Sequence, residues 1–114
     1  MESTKTDEDG KTMAIVTYIT IIGLIVALIV NSNKKNPFTA YHIRQSLGIY
    51  ITWLVLNLVI SAISFIVYIP LLSWLVYLAM ITLLVLGIVT AIQSETKPTP
   101  ILGEKFQEWF KNIG

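Results

Sequence analysis

Fifty consecutive residues, Gln45 to Ser94, carry no charge. One passage through a bilayer takes about 20 apolar residues, so this stretch holds two passages and a connection. The connection falls at Tyr68-Ile69-Pro70, because proline lacks the backbone donor that a helix interior requires. The spacing predicts spans over 47–67 and 71–92, joined so closely that they form an antiparallel hairpin. A re-entrant hairpin that dips into the bilayer without crossing is the alternative, and each arm is long for that. Charged residues make up only 13% of the chain, against about 25% in a soluble domain. That supply covers a water-facing surface poorly and suits a lipid-facing one.

A further span is expected at 13–30, where eighteen residues again carry no charge. As a helix they reach about 27 Å, close to the roughly 30 Å hydrocarbon core. Thr17, Tyr18 and Thr20 are its polar members, and threonine hydroxyls can return to carbonyls of their own helix. Residues 31–37, Asn-Ser-Asn-Lys-Lys-Asn-Pro, form a turn by composition. Within it Asn36 and Pro37 make an N-cap and first-turn pair for a helix starting near Phe38. That helix would run on to Val67, about 45 Å, so its first turns, with His42 and Arg44, lie in or outside the headgroups. The polar residues 1–12 are expected to be a disordered tail, without the basic start of a secretory signal. The Lys97-Pro98-Thr99-Pro100 connector is stiff and extended. It leads to an amphipathic helix over 103–113, with Phe106, Trp109, Phe110 and Ile113 on one side. Such a helix lies in the bilayer interface or packs on a partner protein.

The fold expected is therefore an all-α membrane protein: a tail, then one membrane domain over 13–114 with three transmembrane helices and a C-terminal interfacial helix. Three crossings place Lys5 and Lys11 on one face and the six other lysines and arginines on the opposite face. Cationic loops stay in the cytoplasm, which predicts the amino terminus outside and the carboxyl terminus inside, in a bacterial inner membrane.

Chemistry is sparse. There is no cysteine and a single histidine, His42, so a multi-histidine or thiolate metal site within one chain is excluded. No P-loop, dinucleotide fingerprint or nucleophile–base pairing is present, and a net charge of +1 gives no basis for nucleic-acid binding. No cofactor is expected, and the chain reads as non-enzymatic. The densest polar segment is Tyr41-His42-Ile43-Arg44-Gln45. At helical spacing Tyr41, Arg44, Gln45 and Gly48 form a stripe descending toward the membrane, fit for headgroup or partner contact. His42 beside it either is satisfied in a packing contact or takes part in proton-coupled work. Deeper on the same helix Asn57, Ser61 and Ser64 serve interhelical packing or line a wet cavity.

The segment from Pro37 to Gly48, the apolar hairpin that follows, and Lys97-Pro-Thr-Pro-Ile-Leu-Gly103 together resemble a known layout. It is that of bacterial relatives of the twenty-kilodalton subunit of the chloroplast inner-envelope protein-import translocon. Tyr41, His42 and Gln45 match that pattern at the helix entry, and Pro100, Leu102 and Gly103 match its ending. The resemblance implies an accessory membrane subunit in protein translocation or insertion, bound to the bilayer and to other membrane proteins as a hetero-complex or homo-oligomer. A small self-associating channel or holin-like protein is the other reading.

Overall fold

The computed structural model describes the backbone of residues 2–99 and 102–113, with side chains from Gly10 onward. Among these residues the chain is all helical: α1 (Glu2–Ile19), α2 (Ile21–Lys34), α3 (Pro37–Ser64), α4 (Pro70–Ile92) and α5 (Gly103–Trp109).

The two long apolar helices behave as their sequences require. Asn36 caps α3, its side-chain oxygen accepting from the Phe38 and Thr39 amides at 2.9 and 3.3 Å, with Pro37 in the first turn. Pro70 likewise stands in the first turn of α4 after the break at 65–69, there without a side-chain cap. In their most apolar stretches only 22% and 17% of residues are buried. Leu54, Leu58, Leu71, Leu75 and Leu78 all point outward. A core helix of a soluble protein would hide such residues; these face an apolar solvent. These are the marks of a membrane protein.

Among the described residues two helices, not three, are long and apolar enough to cross. The predicted first span at 13–30 is interrupted at Thr20, which takes an extended backbone (φ −151°, ψ 168°) and caps α2 by accepting from the Gly23 amide at 3.1 Å. The β-branched run Ile19-Thr20-Ile21-Ile22 weakens helix continuation, and the threonine hydroxyl offers the backbone another partner. The chain reverses there. Gly23 lies so close to α1 that an added Cβ would run into the Val16 carbonyl oxygen. Met13 packs back against the cluster of Leu24 and Ala27. At 14 residues, α2 spans about 21 Å, short of a crossing.

Cross-contacts fix the level of this hairpin. α1 runs beside α3 in parallel: Thr39 Oγ1 donates to the Gly10 carbonyl at 2.9 Å, and Thr17 and Ser46 hydroxyls meet at 2.6 Å. α2 returns antiparallel until Asn31 clamps the Asn36 backbone, Oδ1 accepting from its N–H at 2.9 Å. α4 lies antiparallel to α3, with Met80 beside Ile49 in the main core. The hairpin tip, Ile19 to Ile21, thus ends beside Trp53 and Tyr77, about halfway along both long helices.

The expected tail is also different. α1 begins at Glu2, and Gly10 is buried. Residue 1 and the side chains of residues 2–9 lie outside the described set.

Candidate functional site

Where α1, α3, the end of α4 and the connector converge, a polar network is sealed from solvent. His42, Gln45, Tyr18 and Thr99 come from segments far apart in sequence, and none is more than 6% exposed. The direction of each hydrogen bond follows from one fixed donor. The Thr99 backbone N–H can only donate, and it meets Gln45 Oε1 at 2.8 Å. The Gln45 amide nitrogen is thereby turned to Tyr18, donating to its hydroxyl oxygen at 2.8 Å. Tyr18 passes its own proton toward His42 Nδ1 at 2.6 Å. His42 Nε2 then carries the ring proton and donates to the Glu95 carbonyl at 2.8 Å. This arrangement needs a neutral imidazole, since Nδ1 is the acceptor. The Phe38, Tyr41 and Tyr18 rings all stand edgewise to the imidazole at centroid distances of 4.8–5.5 Å.

The predicted polar stripe on α3 splits over two faces. His42 and Gln45 turn inward to the network. Tyr41, Arg44 and Gly48 turn toward α5 and the residues after it. Arg44 donates from Nε to the Ile113 carbonyl at 2.9 Å and from a terminal nitrogen to the Lys111 carbonyl at 3.0 Å. Its bonding here is therefore to the carboxyl end of this chain. Gln107 donates to the Tyr41 carbonyl at 2.7 Å.

The terminal helix is shorter than expected, seven residues in place of eleven. Its apolar side divides as well. Phe106 is buried, stacked directly on Gly48, where a Cβ would strike the ring. Trp109 is exposed, Ile113 is at the border of exposure, and Phe110 is half-buried. The helix packs on α3 because glycine leaves a seat for an aromatic ring. Replacing Gly48 by leucine should therefore expel Phe106 at a cost of about 1–3 kcal/mol. Proteolysis after Lys105 and Lys111 in detergent would then accelerate while α3 and α4 stay intact, and adding Phe106→Ala should restore part of the protection.

Asn57, Ser61 and Ser64 line an open groove near the α3–α4 turn, with Tyr68 and Ser73 opposite. Asn57 Nδ2 donates to the Trp53 carbonyl and Ser64 Oγ to the Ile60 carbonyl, both at 2.8 Å. Both groups turn back on their own helix, as side chains with no nearer partner in lipid do. Among the described residues no three histidine or carboxylate groups come together in a way that could hold a metal ion.

Tyr18 and Thr99 are the network members that sequence reading passed over. A lone tyrosine in an apolar run that also contains threonines gave the only signal. Pro100 and residue 101 of the ending motif lie outside the described residues.

Residues 9–104 match the model of the magnetosome magnetite crystal formation protein family. The chain belongs to that family. Membership overturns the likeness to the import translocon, and with it the assignment to protein transport. Of the shared features, the apolar hairpin is one that membrane insertion imposes on unrelated chains. The family's match begins one residue before buried Gly10 and ends at the start of α5, so it takes in the network and the whole of α2, α3 and α4. No curated protein and no solved structure matches the chain.

Proposed function

We propose that this chain is a non-enzymatic membrane protein that takes part in crystal formation by shaping or organising the bilayer of the mineral-forming compartment. Two crossings, α3 and α4, anchor it. The α1–α2 hairpin enters and leaves on one face, so both termini lie on that face, in place of the opposed termini expected from three spans.

The observation that carries this reading is the chain reversal at Thr20, halfway along α3. It gathers the seven lysines and arginines whose side chains are described at one end of the molecule, whereas the turn at 65–69 at the other end has none. A seven-to-none bias supports a cytoplasmic cap more strongly than six against two. The buried network supports the same reading: it binds the hairpin, the entry of α3 and the connector into one rigid unit on the membrane surface.

The natural absence of cysteine makes the test direct. Single cysteines at positions 3, 33, 67 and 112 should label with a membrane-impermeant thiol reagent so that 3, 33 and 112 react from one face and 67 from the other. Labelling of position 3 together with 67 would refute the topology. The role itself is tested by expression in a magnetite-forming bacterium deprived of its own family members. Restored crystal size supports it, and unchanged defective crystals in cells that hold the protein in the membrane reject it.

A further inference from the structure

We infer that the chain is a one-leaflet wedge that partitions to the convex side of strongly curved bilayers, its partner being the lipid leaflet on the cap side. This rests on the two-crossing reading above and adds what that topology does to the membrane.

The argument begins with depth. From the network at His42 and Gln45 on the membrane surface to the hairpin tip beside Trp53 the descent is about 12–16 Å, close to half of a roughly 30 Å core, before α2 climbs back. Beyond the hairpin tip, α3 continues from Ile51 to Ser64, about 20 Å, flanked by α4 alone. The cap-side leaflet therefore holds four helices and the far leaflet two, each helix about 10–12 Å across with its side chains.

The outward face of α2 shows what surrounds the extra pair. Ile22, Ile25, Val26 and Ile29 recur at helical spacing and are 73%, 51%, 42% and 64% exposed. Lys34 and Lys35 follow just above them. An apolar stripe ending in two lysines suits hydrocarbon below and anionic headgroups above. The hairpin is also held rigidly at this depth, by Thr17 on Ser46 and Tyr18 on His42, so it displaces lipid without yielding. Unequal cross-section expands one leaflet against the other, and the stress falls when the wider side faces outward on a small vesicle. With the cap in the cytoplasm, that is the curvature of a small compartment inside the cell.

The chain, labelled at a cysteine replacing Asn112, is reconstituted into a mixture of small sonicated and large extruded vesicles of neutral and anionic phospholipid. Protein density per membrane area is read on single vesicles in which the label remains accessible outside. The expected result is several-fold enrichment on the small vesicles, and equal density overturns the inference. Widening the wedge with Ile22→Trp and Ile25→Trp, both on the exposed face, should raise the enrichment. Ile22→Gln with Ile25→Gln should lower it while the two crossings still resist alkaline extraction. Enrichment that ignores both pairs also overturns it. Absent sorting with same-face labelling of positions 3 and 112 rejects the wedge alone; labelling of position 3 from the far face rejects the topology beneath it.

Discussion

Replacing Gln45 by leucine is expected to destabilise the folded protein by about 2–4 kcal/mol. The side chain is fully buried and leucine fills a similar volume, so packing changes little. Two polar groups lose their partner instead. The buried Thr99 N–H loses its acceptor, and the Tyr18 oxygen loses the donor that set its direction. Each such orphan costs roughly 1–3 kcal/mol when water cannot replace the bond, and a linked network loses more than isolated pairs. The connector should come free first, because Gln45 and His42 are its holds on α3. Thermal unfolding in detergent measures the loss, and cleavage after Lys97 reports the local release. A leucine variant as stable as the parent, with a protected connector, would show that the network carries no stability. Gln45→Glu supplies a useful contrast. A carboxylate can still accept from Thr99, but it also accepts from Tyr18, which takes that proton away from His42. The connector should then stay bound while the Tyr18–His42 bond is lost.

Replacing His42 by phenylalanine should destabilise the cap by about 1–3 kcal/mol. The side chain is fully buried and a ring stays in place, so packing changes little. The Tyr18 hydroxyl loses the acceptor of its proton at 2.6 Å, and the Glu95 carbonyl loses its donor at 2.8 Å. Thermal unfolding in detergent measures the loss, and faster cleavage after Lys97 reports release of the connector. A phenylalanine variant as stable as the parent would remove the imidazole as a support of the cap.

Much of the fold was legible because its signals are local. Asn36 and Pro37 start a helix through bonds from the Phe38 and Thr39 amides to the Asn36 side chain, and Pro70 starts one by what it lacks. The fifty uncharged residues state that two helices meet lipid. Hydropathy, however, counts residues and is blind to direction. It reads 13–30 as one span because a hairpin and a straight helix have the same composition.

The candidate site was half legible. His42 and Gln45 drew notice as polar residues on an apolar helix, but their partners lie 24 to 54 positions away. Nothing in the local pattern pairs Tyr18 with an imidazole or Thr99 with an amide. Helical spacing put Arg44 and Gln45 on one stripe; α5 on one side and α1 on the other pulled them apart.

The sequence by itself thus determined the apolar surroundings, the two helices long enough to cross and the starts of those two helices, since burial in lipid and capping act over one turn or one span. Only the tertiary structure decided that the first apolar run reverses at Thr20, halfway along α3. A threonine can leave its helix to cap the next only when Gly23 lets the two backbones meet and Tyr18 finds His42 beyond them.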